Sequence, residues 1–79
     1  MRIRQAEYLE GHKLKLLFND NKTKIVDLEK ELWGPLYEPL KDIEYFKKVS
    51  VDDDFITIQW PNGADFSPNF LYRIGTEVR

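Results

Sequence analysis

The sequence contains no cysteine, which excludes a disulfide framework and a thiolate metal site. Its single histidine, His12, cannot by itself supply the several ligands that a zinc site needs. No apolar run approaches the roughly 20 residues that cross a bilayer, and the first residues lack the hydrophobic stretch of a signal peptide. We therefore expect a cytoplasmic protein that binds no metal and no cofactor and does not associate with membranes.

The sequence also lacks the residue patterns that are typical of enzyme active sites. Its glycines stand apart from one another, at Gly11, Gly34, Gly63 and Gly75, which excludes a glycine-rich phosphate loop. The sequence places no base beside either of its serines, Ser50 and Ser67. His12 follows a glycine at a predicted turn, where we expect a solvated side chain. These observations predict no catalytic residues and no enzymatic activity.

The aspartate run at residues 52–54 and the single Asp65 each have a functional and a structural interpretation. The run at residues 52–54 offers the clustered carboxylates that Mg²⁺ and Ca²⁺ prefer, but aspartate is also common in solvated turns, and we expect a turn. Asp65 would need a second titratable group to act as a catalytic acid or base, and the sequence places none. We expect its carboxylate to accept backbone N–H bonds at the corner between Trp60 and Ser67, where losing such an acceptor costs about 1–3 kcal/mol.

What the sequence does contain suits one small globular domain. The chain has 79 residues, of which 42% are hydrophobic and 33% are charged, and we assign residues 1–79 to a single domain. A core of this size rarely contributes more than about 3–5 kcal/mol, so domains of this kind commonly depend on a partner.

Alternating hydrophobicity predicts an antiparallel sheet near the amino terminus. Leu14, Leu16 and Phe18 share one face of a strand, and Lys13 and Lys15 share the other. A turn at residues 19–22 leads to a return strand at 23–28, whose inward residues we expect to be Val26 and Leu28. A third strand at residues 3–8 needs a bulge, because its apolar spacing changes parity.

The middle of the chain is too rich in glycine and proline for a long helix or a central strand. We expect a loop at residues 32–40 whose apolar side chains cover the sheet, namely Leu32, Trp33, Leu36 and Leu40. Asp42 suits an N-cap, and one helical turn after it would bury Ile43 and Phe46.

The last third predicts a second hairpin, from strands at 47–51 and 55–60 joined by a turn at 52–54. Within it, Val49, Val51, Ile56, Ile58 and Trp60 are expected to face inward. A turn at residues 61–63 precedes a short helix that begins at Ser67 and Pro68 and stops at Gly75. The predicted fold class is α+β, a small antiparallel sheet built from hairpins in the order β-β-β-loop/short helix-β-β-short helix.

The segment W-P-N-G-A-D-F-S-P at residues 60–68, continuing to Leu71 and Tyr72, resembles the signature end of the domain-of-unknown-function 2442 family. Its signature positions are Trp60, Pro61, Asn62, Gly63, Asp65, Ser67 and Pro68. The similarity extends over about residues 3–73, with Asn21 where a glycine is expected. The resemblance implies a small bacterial α+β domain with no assigned catalytic residue. It also implies kinship with partners of small toxin-like proteins, and we expect no room here for the DNA-binding appendage of some members.

A nucleic-acid function is one interpretation of the charge. Residues 1–30 carry seven Lys/Arg against five Asp/Glu, whereas the remainder carries five against nine. Five basic residues are expected to share the outer face of the sheet, namely Arg2, Arg4, Lys13, Lys15 and Lys24. The alternative is a solvated face that resists edge-to-edge aggregation, and the acidic remainder favours that alternative.

The aromatic residues give the best indication of a partner. Tyrosine and tryptophan are enriched at the centres of protein interfaces. Trp33 and Tyr37 lie on the glycine- and proline-rich loop and are our candidates for an exposed patch, the alternative being a lid with both rings inward. We expect a non-enzymatic protein-interaction module that holds a small partner protein or a second copy of itself. The alternative is a weak nucleic-acid-binding or regulatory module.

Overall fold

The computed structural model describes residues 1–54 and 56–78. Within these residues, one antiparallel sheet has the strand order β1-β2-β3-β6, and a separate antiparallel pair is formed by β4 and β5. The strands are β1 (Ile3–Glu10), β2 (Lys13–Phe18), β3 (Thr23–Asp27), β4 (Ser50–Asp52), β5 (Thr57–Gln59) and β6 (Thr76–Glu77). The helices are α1 (Ile43–Phe46) and α2 (Pro68–Ile74), with 3-10 turns at Glu29–Glu31 and Glu38–Lys41. The predicted α+β class is confirmed.

The alternation in β2 produces the core as predicted. Leu14, Leu16 and Phe18 are fully buried, and so are Val26 and Leu28. The positive φ that the turn after β2 requires falls on Asn21, at 68°, because asparagine tolerates the left-handed conformation. These features confirm the first hairpin.

The predicted bulge in β1 is also confirmed. Ile3 lies opposite Phe18, but Gln5 lies opposite Leu17, so one extra residue is accommodated between the two pairs. The bulge restores the parity that keeps Ile3 in the core, where it is buried.

The other half of the core is built from the second half of the chain. Trp60 is buried, and its indole Nε1 donates a 2.8 Å hydrogen bond to the carbonyl oxygen of Phe46. The rings of these two residues lie 5.4 Å apart. Phe46 is fully buried, but Ile43 is only half-buried, so the prediction that the first helical turn buries both residues is wrong for Ile43. Asp42 caps this turn as predicted, because its Oδ1 accepts a hydrogen bond from the backbone N–H of Glu44.

The second hairpin is shorter than predicted. Its register pairs Val51 with Ile58, and both sides pack on the core. Ile56 lies in the turn with φ at 58° rather than in the return strand, so the prediction that it continues the inward row is wrong. Phe55, the predicted start of that strand, lies outside the described residues.

Helix α2 begins and ends where the sequence predicts, but for different local reasons. Ser67 occupies the N-cap position without a side-chain hydrogen bond there. Gly75 ends the helix in an extended conformation instead of a left-handed one. A Cβ at this position would lie 2.9 Å from the Cβ of Lys24, so glycine is required by the close approach of α2 to β3. The chain then forms β6 beside β3, a strand that the sequence pattern did not predict.

No helix in the described part of the chain is long and apolar enough to span a bilayer.

Candidate functional site

Trp33 is the most exposed large hydrophobic side chain in the described residues, with 74% of its surface accessible. The preceding residue, Leu32, is buried. The chain reverses after Trp33 because Gly34 takes φ of 92°, and its carbonyl oxygen accepts hydrogen bonds from the backbone N–H groups of Tyr37 and Glu38. The lid prediction is therefore correct for Leu32 and Leu40, which are buried, and wrong for Trp33 and Leu36, which are exposed.

Tyr37 lies at the other end of this loop and is half-buried against the core. Its ring packs 5.0 Å from that of Phe66, and its hydroxyl donates a 2.8 Å hydrogen bond to the carbonyl oxygen of Asp65. Burial raises the pKa of the Tyr37 phenol, and the negative charge of Asp65 raises it further. Of the two predicted patch residues, Trp33 is thus exposed and Tyr37 anchors the loop.

The turn at residues 60–63 holds the same loop from a second direction. Asn62 donates a 2.9 Å hydrogen bond from Nδ2 to the carbonyl oxygen of Leu36, and its Oδ1 accepts a 3.0 Å bond from the backbone N–H of Ala64. Gly63 supplies the positive φ, 88°, that this turn requires. The signature segment therefore positions the Trp33 loop, a role that sequence reasoning missed because the two segments lie far apart along the chain.

Between these elements lies an open groove of about 400 Å³ with a mostly apolar lining, which we name the Trp33 groove. Its main lining residues are Glu31, Trp33, Tyr37, Asp65, Phe66 and Phe70. The rings of Phe66 and Phe70 stack with centroids 6.0 Å apart, and Phe66 also packs edge-on against the buried Trp60. The groove therefore has a floor of packed aromatic rings, with the exposed ring of Trp33 at its edge.

Two carboxylates border this aromatic surface. Asp65 is exposed, Glu31 is half-exposed, and neither belongs to an ion pair within residues 1–54 and 56–78. Among residues 1–54 and 56–78, no backbone N–H donates to the Asp65 carboxylate, so the expectation that it accepts such bonds is wrong. Tyr37 donates to the main-chain carbonyl of Asp65 instead. Arg73 is the cation nearest in sequence to the floor residue Phe70, and its guanidinium lies 5.7 Å from that ring.

The five basic residues expected to share one face do not do so. Lys24 lies opposite Leu16 and therefore on the buried side of the sheet. There its Nζ donates a 2.8 Å hydrogen bond to the carbonyl oxygen of Tyr72 and lies 3.7 Å from the centre of that ring. Arg2 and Arg4 lie beside the turn after β2, at the end of that strand away from Lys13.

The lysines that do lie on the outer face have acidic neighbours. Lys13 is opposite Glu10 on one side and Asp27 on the other, and Lys15 is opposite Glu7. Cross-strand pairs of opposite charge stabilise a sheet and reduce its net field. The nucleic-acid function stays a prediction, but this face is mixed in charge rather than uniformly basic.

The remaining candidates from the sequence, His12 and the aspartates at residues 52–54, make contacts within the fold. The ring of His12 packs edge-on 4.9 Å from that of Phe46, and its Nε2 lies 3.1 Å from the carbonyl oxygen of Lys41, so the histidine is half-buried rather than solvated. Asp52 accepts a 2.9 Å hydrogen bond from the backbone N–H of Asp54 within the turn. In the part of the chain that the structure describes, no three His, Cys, Asp or Glu residues converge to hold a metal ion.

Comparison with known proteins identifies a family. A family model described as "Protein of unknown function (DUF2442)" matches residues 3–77. No curated protein and no solved structure matches the chain. The family expected from the sequence is confirmed, and its description assigns no activity.

Proposed function

The chain belongs to the DUF2442 family, and we propose that it is a non-enzymatic protein-interaction module that binds through the Trp33 groove. The observation that carries this proposal is the 74% exposure of Trp33 beside a groove lined by further aromatic rings. Exposed apolar surface bordered by polar groups is typical of protein-binding sites. Tryptophan is also among the residues that contribute most to binding at interfaces.

The anchoring of the loop supports the same proposal. Hydrogen bonds from Tyr37 to the Asp65 carbonyl and from Asn62 to the Leu36 carbonyl hold the two residues that follow the turn after Trp33. A loop that is already ordered loses little conformational entropy when a partner binds. A tryptophan presented on such a loop is therefore a favourable anchor for a partner.

The proposed partner is a small protein or a second copy of the chain, acting in the cytoplasm. The family resemblance favours a small toxin-like protein. In this role the domain would act by occupying a surface of its partner, and no step of covalent chemistry is needed.

Capture of partners by the tagged protein tests this function when three variants are compared. The wild type, Trp33→Ala and Leu36→Ala are each incubated with native cytosol, and the retained proteins are identified by mass. Leu36 is a matched control, because its side chain is 44% exposed on the same loop and does not line the groove.

We expect one small protein, retained by the wild type and by Leu36→Ala in high salt and after nuclease treatment, and lost by Trp33→Ala. Equal retention by all three proteins would contradict the proposed site. Material that is released by nuclease or by salt would instead favour the nucleic-acid alternative, because counterion release makes such binding strongly salt-dependent.

A further inference from the structure

We infer that the Trp33 groove receives a basic segment of the partner, with an arginine or lysine side chain lying against Trp33 and between Glu31 and Asp65. This inference rests on the proposed function and specifies the chemistry of the partner.

The first support is the charge of the groove. Glu31 and Asp65 come from positions 34 residues apart and meet at one aromatic surface. Neither is neutralised by an ion pair within the described residues. Burial is the main cause of the raised pKa of Tyr37, and the negative charge of Asp65 beside the phenol adds to it. The Arg73 guanidinium lies 5.7 Å from the Phe70 ring, but the two carboxylates still leave an excess of negative charge, which favours cationic segments over acidic ones.

The second support is the exposed ring itself. Tryptophan is the best aromatic partner for a cation, and arginine the commonest cation found against it. This chain already uses such contacts elsewhere, since Lys24 lies 3.7 Å from the centre of the Tyr72 ring. Over Trp33 no lysine or arginine of residues 1–54 or 56–78 takes this position. Among the described residues, the face of the Trp33 ring is therefore available to a cation from a partner.

The free-energy cost of burying the two carboxylates favours a basic segment over a neutral segment or a second copy of the chain. A neutral apolar segment would cover Glu31 and Asp65 without pairing them, and burying unpaired carboxylates is costly. A second copy of the chain would have to supply the cation from its own surface. A second copy carries a formal net charge of −2, and Lys13 and Lys15 on its outer sheet face lie beside the carboxylates of Glu7, Glu10 and Asp27. A basic segment from a different protein is the better match.

The test uses three synthetic peptides of 12 residues that share one sequence of Ser, Gly and Leu and differ at four positions, which are all Arg, all Gln or all Glu. Each is titrated into the full ¹⁵N-labelled chain while the indole N–H signal of Trp33 is followed by NMR. The signal is assigned with Trp33→Phe. We expect the Arg peptide to shift this signal and to bind at least tenfold more tightly than the Gln and Glu peptides.

Two double variants separate the local effect from general charge. Glu31→Gln with Asp65→Asn should weaken binding of the Arg peptide at least tenfold. Glu7→Gln with Glu10→Gln removes the same number of charges from β1, on residues outside the groove, and should change binding less than threefold. Equal binding of the three peptides, or equal weakening by the two double variants, would overturn the inference.

The outcomes also separate this inference from the proposed function. If the groove shows no preference for the Arg peptide while Trp33→Ala still loses the captured protein, the basic partner is wrong and the interaction module stands. If sedimentation shows a dimer that Trp33→Ala dissociates, the occupant is a second copy and the basic partner is again wrong. If Trp33→Ala retains the captured protein, the proposed function itself fails.

Discussion

The hydroxyl of Tyr37 donates a 2.8 Å hydrogen bond to the carbonyl oxygen of Asp65, joining two segments that are 28 residues apart. This bond ties the loop that presents Trp33 to the corner that follows the W-P-N-G turn. The side chain of Asn62 makes the second link, to Leu36. The groove is therefore assembled by contacts between the loop and the signature segment.

Replacing Tyr37 by phenylalanine removes this hydrogen bond and keeps the ring that packs on Phe66. We expect the free energy of unfolding to fall by about 0.5–1.5 kcal/mol, the usual net contribution of one hydrogen bond. Urea denaturation measures the change. Tyr45→Phe is the control, because the Tyr45 hydroxyl makes no hydrogen bond to another described side chain or backbone group, and it should leave stability within about 0.5 kcal/mol of wild type. Equal effects of the two variants would show that the Tyr37–Asp65 bond does not hold the loop.

Replacing Asp65 by asparagine removes the negative charge beside Tyr37 and should lower the pKa of its phenol. Burial is the larger cause of the raised pKa, so the value should stay above the ordinary 10.0. A raised pKa means that this group contributes stability below pH 10, which is lost as the pH rises through its folded value. Absorbance of tyrosinate, compared with the same titration in Tyr37→Phe, isolates this phenol. An unchanged pKa in Asp65→Asn would show that the carboxylate does not act on the groove.

Replacing Gly75 by alanine forces apart α2 and β3, because the new Cβ would lie 2.9 Å from the Cβ of Lys24 and 3.1 Å from the carbonyl oxygen of Leu71. Overpacking of this kind costs about 1–3 kcal/mol. Thermal unfolding should show a clearly lower midpoint than for wild type. The neighbouring exposed Thr76→Ala should unfold close to wild type. A Gly75→Ala protein as stable as wild type would mean that this close approach is easily relaxed.

Replacing Tyr72 by phenylalanine removes the 2.7 Å hydrogen bond from its hydroxyl to Asp20. That bond is the main cause of the lowered pKa of Asp20, so we expect the pKa to rise toward its ordinary value of 3.8. The same bond raises the pKa of Tyr72 above its ordinary 10.0. The hydrogen bond therefore stabilises the fold fully between the ordinary pKa of Asp20 and the ordinary pKa of Tyr72. This stabilisation is lost as the pH falls through the folded pKa of Asp20 or rises through the folded pKa of Tyr72.

NMR titration of the Asp20 carboxyl carbon in wild type, Tyr72→Phe and Tyr45→Phe measures this effect directly. Only Tyr72→Phe should move the midpoint. The backbone N–H of Lys22 also donates to Asp20, so part of the lowering should persist in that variant. A midpoint that is the same in all three proteins would contradict the assigned cause.

The first hairpin was predictable because a strict alternation of large apolar and polar residues specifies one buried face. The same alternation also indicates that Lys24 lies on the buried side of β3, because it is two residues before the inward Val26. Strand β6 was not predictable, because Thr76 and Glu77 are too short a segment to show any period. Its pairing is defined only by the register against Lys24 and Ile25.

The groove was predictable only in part. The composition of the loop indicated that Trp33 and Tyr37 matter, but the direction of the Trp33 ring depends on the sign of φ at Gly34 and on two long-range hydrogen bonds. Glu31 and Asp65 line one groove because the loop packs against the signature segment. Neither fact is encoded in local spacing.

The most direct measurement is calorimetric titration of the protein captured by the wild type, once purified, into wild type, Trp33→Ala and Leu36→Ala. Truncation of an anchoring residue costs about 2 kcal/mol or more, which is roughly a thirtyfold loss of affinity. We expect that loss for Trp33→Ala, with its unfolding free energy unchanged, and less than a threefold change for Leu36→Ala. Wild-type affinity in Trp33→Ala would contradict the claim that this groove binds the partner.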